Sequence, residues 1–164
     1  MKHSNNIIHF KVTLDYEIDF PPIEFYQKFI NLKTLSLYNN GRIRNCFDSR
    51  FLFLNCPKLE ILQIGRVSQF VLSNIISKTE GSLCILLDLL VRYAPINLEE
   101  IELVSNWEIT VNDLEKFLKN WAHRENPLEF RIRHVPSITD EHLKILDTYK
   151  EKGIIKLFKN MEKS

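Results

Sequence analysis

The sequence predicts an α/β solenoid, with an inner parallel β-sheet, outer helices and about five to six repeats. Three observations predict it. First, a spaced apolar pattern recurs: Leu32-x-x-Leu35-x-Leu37-x-x-Asn40, then Leu59-x-x-Leu62-x-Ile64-x-x-Val67, then Leu98-x-x-Ile101-x-Leu103-x-x-Asn106. Second, the stretches that follow the later copies carry apolar residues at helical spacing. Third, 45% apolar residues in a chain of 164, with 4 Gly, 6 Pro and 11 Phe, suffice for one buried core and argue against low complexity. One such strand cannot bury its apolar face alone, whereas stacked copies share a continuous core.

Weaker copies extend the pattern to both ends. Ile7-x-x-Phe10-x-Val12 precedes the first clean copy, and "NPLEFRIRHV" places Phe130 and Ile132 at the second and third apolar positions, after Pro127. "GIIKLFKN" supplies a truncated last copy through Ile155 and Leu157, ending on Asn160. Starts near 7, 32, 59, 98, 127 and 152 lie 25, 27, 39, 29 and 25 residues apart. Most gaps lie at or just above the roughly 20–29 residues of leucine-rich repeats. The expectation is therefore one leucine-rich-repeat domain over 1–164, a horseshoe with an enlarged repeat at 59–97.

The return segments follow in order. "FPPIEFYQKFINL" reads as the first return helix because it feeds directly into the Leu32 strand. Within the enlarged repeat, "SQFVLSNIIS" fits a short helix or turn. After Gly81, Ser82 is expected to cap "LCILLDLLVRYA", which is apolar on nearly every face apart from Asp88 and Arg92 at i and i+4. Such a helix must be buried on several sides. In "ITVNDLEKFLKNWAHRE", Thr110 is the expected N-cap and Asp113 the third helical residue, with Leu114, Phe117, Leu118 and Trp121 on one stripe. "ITDEHLKILDTYKEKG" repeats the design: Thr139 caps, Asp140 and Glu141 occupy the electropositive first turn, Leu143, Leu146 and Tyr149 form the stripe, and Gly153 stops the helix. Asn40 and Asn106 can bond the backbone of the turn that leaves the strand, which Val67 and Val135 cannot.

Composition narrows the function classes. With 22 Lys and Arg against 21 Asp and Glu the formal charge is +1, so no bulk attraction to nucleic acid or anionic membrane is implied. Cys46, Cys56 and Cys84 have no metal-ligand spacing and read as reduced thiols. The N-terminus lacks a secretory pattern, and the longest apolar stretch, Leu83 to Val91, is too short to span a bilayer. A cytoplasmic protein is expected, with nuclear residence open and no membrane partner. His123, His134 and His142 read as surface histidines, and Asp140-Glu141-His142 as a helix's acidic first turn. No nucleophile elbow or phosphate-cradling glycine loop occurs. No cofactor, metal or enzyme activity is expected.

Two stretches match each other at an offset of 29 residues, "LVSNWEITVNDLEKFL" and "RHVPSITDEHLKIL". Their strand, interval, Ile-Thr and downstream Leu resemble the cysteine-containing repeats of F-box/LRR proteins, which run C-P-x-I-T-D-x-x-L. Pro136, Ile138, Thr139, Asp140 and Leu143 match that form, with Asn106 and Val135 at the cysteine position. The resemblance implies a ribonuclease-inhibitor-like horseshoe that captures a protein substrate for a cullin-type (SCF) ubiquitin ligase. In that family a separate N-terminal F-box docks to the ligase adaptor. Here the first candidate strand opens the chain, so an adaptor contact needs an F-box supplied elsewhere. A free-standing binding or inhibitory module is the alternative. Uncapped strands at both ends suggest a fragment or divergent relative of a longer horseshoe, with ends that pair with another chain or fray.

Strand alternation assigns the opposite, concave face. It holds His9, Lys11 and Thr13; Thr34, Ser36 and Tyr38; Ile61, Gln63 and Gly65; Glu100, Glu102 and Val104; Glu129, Arg131 and Arg133; and Lys156 and Phe158. Lys11, Tyr38, Gln63, Glu100, Glu102, Glu129, Arg131, Arg133 and Lys156 are the candidate partner-binding residues. Its charges fit cross-strand pairs such as Glu102 with Arg131, worth about 0.2–1 kcal/mol each. They equally fit a charge-patterned docking surface for a protein partner. Nucleic-acid binding through Lys11, Arg131, Arg133, His134 and Lys156 is disfavoured by the near-neutral charge. Trp107 either staples the loop between strand and helix or stands out as an aromatic anchor.

Overall fold

Alternation of apolar and polar residues along each short pattern gives a strand with one buried face. Stacking those strands in sequence order gives the fold. The computed structural model describes residues 7–14, 29–39, 53–65, 82–104, 107–133, 135 and 138–161. The described residues hold six strands: β1 (His9–Leu14), β2 (Thr34–Asn39), β3 (Ile61–Gly65), β4 (Glu100–Val104), β5 (Leu128–Arg133) and β6 (Ile155–Met161). They form one all-parallel sheet in the order β1-β2-β3-β4-β5-β6. Three helices are described in full: α1 (Ser82–Tyr93), α2 (Val111–Trp121) and α3 (Asp140–Glu151). Residues 53–55 are also helical.

The register links the spaced apolar residues directly. Phe10, Leu35, Leu62, Ile101 and Phe130 align across five strands, and Val12, Leu37, Ile64, Leu103 and Ile132 form the next row. From β2 to β5 both rows are buried in one core. The first leucines of the clean copies, Leu32, Leu59 and Leu98, are buried just before their strands, each closing a tight turn. Their N–H groups donate to the carbonyls of Phe29, Cys56 and Pro95 at 3.0, 3.1 and 3.1 Å. After each turn, two successive N–H groups share one carbonyl of the preceding repeat: Lys33 and Thr34 on Ile8, Glu60 and Ile61 on Lys33, Glu99 and Glu100 on Glu60. The same entry to the sheet is built three times. Burial also pushes the Cys56 thiol up to about 11, so this core cysteine stays protonated near neutral pH.

The helices cover the apolar rows. Leu114, Phe117, Leu118 and Trp121 of α2 are all buried, and Phe117 meets Phe130 of β5 with ring centroids 6.0 Å apart. Thr110 caps α2, its Oγ1 accepting from Asp113 N–H at 3.1 Å and donating to Asp113 Oδ2 at 2.7 Å. Thr139 is the N-cap of α3, and Gly153 ends that helix with φ 75°. Beyond it, Gly153 N–H donates to Lys150 O and Ile154 N–H to Tyr149 O, the reversal that a glycine in left-handed backbone permits. Trp107 is 4% exposed within the core, so it staples its loop and presents no anchor.

Four expectations need correction. Asp88, spaced for an i,i+4 contact with Arg92, instead meets Lys116 Nζ of the neighbouring helix α2 at 3.1 Å. His142 is not a surface residue. It is 3% exposed, with Nδ1 accepting from Thr139 N–H at 3.2 Å and contacting Thr139 Oγ1 at 2.8 Å, while Nε2 lies 3.0 Å from the Ile109 carbonyl. That geometry calls for the Nε2–H tautomer, which donates to Ile109 and leaves Nδ1 to accept.

The third correction concerns the last repeat. The register shifts between β5 and β6: Leu128 aligns with Ile155 but Glu129 with Leu157, leaving Lys156 without a register partner. One extra residue flips every later side chain to the other face. Phe158 therefore aligns with Phe130 and packs against the core, and Lys159 aligns with Arg131. Lys156 lies at the irregularity, and Lys159 takes the place on the polar face that had been assigned to it. The fourth correction, the pairing of Glu102, belongs to that face.

The N-cap assigned to Ser82 has no described side chain. Asn40, Val67, "SQFVLSNIIS", most of "FPPIEFYQKFINL", Cys46, Asn106, His134 and Pro136 lie outside the described residues.

Candidate functional site

The sheet face opposite the helices carries three polar rows. His9, Thr34, Ile61, Glu100 and Glu129 make the first; Lys11, Ser36, Gln63, Glu102 and Arg131 the second; Thr13, Tyr38, Gly65, Val104 and Arg133 the third. Of the nine candidate residues, Lys11, Tyr38, Gln63, Glu100, Glu102, Glu129, Arg131 and Arg133 lie together on these rows. Lys156 does not.

A chain of polar contacts crosses four strands. Ser36 Oγ donates to Gln63 Oε1 at 2.6 Å, and Gln63 Nε2 donates to Glu102 Oε2 at 2.7 Å. The chain closes on Arg133, whose Nη2 lies 2.6 Å from Glu102 Oε1. That contact is electrostatic and off-axis, since neither Glu102 Oε1 nor the buried Arg133 Nε makes an aligned hydrogen bond. Glu102 thus pairs with Arg133 and not with Arg131, its register neighbour. Arg131 turns instead to β5's own Glu129, with Nε donating to Oε1 at 2.7 Å, and to Glu100, with Nη1 at 3.3 Å from Oε1. A guanidinium held by two carboxylates on one side has no reason to swing to a third.

The charges are layered by depth. The carboxylates lie low, with side-chain exposures of 2% for Glu102, 14% for Glu100 and 17% for Glu129. Above them the guanidiniums of Arg131 and Arg133 are 29% and 41% exposed. Burial pushes the Glu100 carboxyl up; nearby Arg131 opposes this, and Glu129 and Glu102 add to it. The hydrogen bond to Glu129 holds the Arg131 guanidinium above its ordinary value.

The ring of Tyr38 packs over Gly65. A Cβ at Gly65 would fall 2.4 Å from Tyr38 Cδ1 and 2.8 Å from Cε1, so the absent side chain makes room for the ring. Lys11 Nζ sits 5.0 Å from the centroid of the same ring. Burial pushes the Tyr38 hydroxyl up; Glu102 adds to this and Arg133 opposes it.

Sequence reasoning passed over three contributors. Ser36 and Gly65 stood on the assigned face but carried no role; a glycine inside a strand pattern is the signal that a neighbour approaches closely. Arg124 gave no signal. It stacks 4.2 Å over Trp121, and its Nη1 and Nη2 donate to Pro95 O at 2.8 Å and Ala94 O at 2.7 Å, tying off the C-terminal end of α1.

Among the described residues no group of His, Cys, Asp and Glu could hold a metal ion, and no helix is long and apolar enough to cross a membrane. The chain matches no protein-family model, and the curated proteins and solved structures give no match.

Proposed function

We propose that this chain is a leucine-rich-repeat horseshoe that works as a protein-recognition module, docking a partner on its concave sheet face. The observation that carries the reading is the polar chain Ser36–Gln63–Glu102–Arg133. It gives four successive strands one connected, directional surface on the side away from the helices. A sheet face stabilised only by isolated surface pairs needs no buried carboxylate, and Glu102 is 1% exposed. The unshifted parallel register from β1 to β5 and the three matching turn entries support the repeat architecture.

The ligase context, substrate capture for a cullin-type ubiquitin ligase, rests on the Ile-Thr repeat resemblance alone. A free-standing binding or inhibitory module is the alternative within the same docking reading. Recovery of a ligase adaptor with the tagged chain favours the first, and capture of a partner with no adaptor favours the second.

The docking itself is tested by neutral steric blocks. Thr13→Trp and Thr34→Trp place a bulky side chain on the polar face, where strands tolerate aromatics. Glu115→Gln and Lys144→Gln alter exposed positions of α2 and α3. Partner capture should be lost in the first pair and kept in the second. The opposite pattern removes the proposal.

A further inference from the structure

We infer that the part of the face bounded by Lys11, Tyr38 and Arg133 selects an acidic, extended segment of a protein partner. The inference rests on the docking reading above and names the chemistry of what docks. Three groups carry it. Lys11 is exposed, and among the described residues its one noted interaction is with the Tyr38 ring. Arg133 meets Glu102 through Nη2, its Nε is buried, and Nη1 at the end of its half-exposed side chain has no acceptor among the described residues. The Tyr38 hydroxyl makes no hydrogen bond among the described residues, and Tyr38 stands on β2, between the strands that carry the two cations. This patch therefore offers donors to a ligand, and its nearest carboxylate, Glu102, is already sunk beneath the arginine.

Depth decides the sign of the surface. The carboxylates of Glu100, Glu102 and Glu129 form the floor and Arg131 and Arg133 the upper layer, with exposed Lys159 extending the second row onto β6. An approaching group meets cations first, although acids and bases are nearly balanced over the whole chain. Glu102 also holds Arg133 in place before any ligand arrives, which lowers the entropic cost of using its free edge. Carboxylates on a flexible chain suit this patch. A polyanion such as RNA would gain little, because the chain's formal charge of +1 supplies no broad attractive field.

The span sets the ligand's length. Lys11 on β1 and Arg133 on β5 are separated by four strand spacings of about 4.8 Å, roughly 19 Å in all. An extended peptide advances about 3.3 Å per residue, so roughly six residues bridge the two cations.

The test uses the full chain and a fluorescein-labelled octapeptide of alternating Glu and Gly, with fluorescence anisotropy as readout. A Lys-Gly octapeptide and an eight-nucleotide oligothymidine serve as comparison probes. The acidic peptide should bind, and the Lys-Gly peptide should not. Raising the salt should weaken the acidic complex, because its contacts are partly exposed. Lys11→Gln should weaken it about threefold, and Lys11→Gln with Arg133→Gln about tenfold or more. Lys152→Gln, which removes an equivalent cation over the Tyr149 ring on α3, should change nothing. Because Arg133→Gln strands the Glu102 carboxylate, Arg133→Lys is the second variant: it keeps the charge and loses the planar fork, so binding should fall only in part. Absence of acidic-peptide binding, equal losses in Lys152→Gln and Lys11→Gln, or tighter binding of the oligonucleotide overturns the inference. If Thr34→Trp still blocks partner capture while the peptide fails to bind, the docking reading stands and the acidic partner falls. If the Trp blocks have no effect, the docking reading fails first.

Discussion

Replacing Gly65 with Ala should destabilise the protein only while Tyr38 is present. Gly65 sits in ordinary strand backbone, since Gly153 is the positive-φ glycine among the described residues. Alanine there should on its own be favourable by about 0.4–1 kcal/mol, because it restricts the unfolded chain. Against this stands the ring of Tyr38, only 2.4 Å from the new Cβ. Relieving that overlap means rotating the ring off β3, with an overpacking cost of about 1–3 kcal/mol. The net expectation for Gly65→Ala is a loss of roughly 1–2 kcal/mol. In a Tyr38→Ser background the obstacle is gone, and the same substitution should stabilise by about 0.4–1 kcal/mol. Urea denaturation of the four proteins of this double-mutant cycle reads both values and a coupling of about 1–3 kcal/mol. The same sign and size of effect in both backgrounds would refute the packing of Tyr38 over Gly65.

Three further outcomes follow from other contacts. His142→Ala removes the acceptor of the Thr139 N–H and a contact to the Ile109 carbonyl and should cost about 1–3 kcal/mol in all; His142→Asp, which copies Asp113 in the preceding repeat, should restore the Thr139 cap and recover only part of the loss in a thermal melt. Arg124→Gln releases the Pro95 and Ala94 carbonyls and should cost about 1–3 kcal/mol, with amide exchange accelerating at the C-terminal turn of α1 and staying unchanged in α3. Burial raises the Glu100 carboxyl, so the native state holds that proton to higher pH than the unfolded chain does. Its contribution to stability therefore falls as pH rises from the ordinary Glu value through the raised native one. Glu100→Gln should flatten that part of the profile and be the more stable protein above it; a profile identical to wild type would show that Glu100 is not the group responsible.

The sheet was legible because the spaced apolar residues alternate within each strand and the same spacing returns in every strand, even across the enlarged 39-residue step. Leu35, Leu62, Ile101 and Phe130 fix the register without reference to any contact. The Thr110 and Thr139 caps were readable for a similar reason, since capping is a local matter of side-chain oxygen and neighbouring N–H. The last strand was misread because a single extra residue at Lys156 has no compositional mark, yet it inverts the faces of all that follows. His142 was misread because polarity suggested solvent; its burial depends on a carbonyl 33 residues away, at Ile109. On the polar face, membership of the rows was readable but pairing was not. Arg131 has Glu100, Glu102 and Glu129 nearby, and only side-chain geometry sends it to Glu129 and Glu100 and leaves Glu102 to Arg133. The turn shared by Phe29–Leu32, Cys56–Leu59 and Pro95–Leu98 was missed although it had a mark: 30–32 and 96–98 both read Ile-Asn-Leu, and only 57–59, Pro-Lys-Leu, departs.

The central claim is that a partner docks on the polar sheet face. The most direct measurement places a photo-crosslinking amino acid in turn at Thr13 and Thr34 on that face and at Glu115 and Lys144 on the helices, then maps adducts formed with the captured partner by mass spectrometry. Adducts at Thr13 and Thr34, with none at Glu115 and Lys144, are the predicted result. Adducts confined to Glu115 and Lys144 would contradict the account and move the binding surface to the helical side.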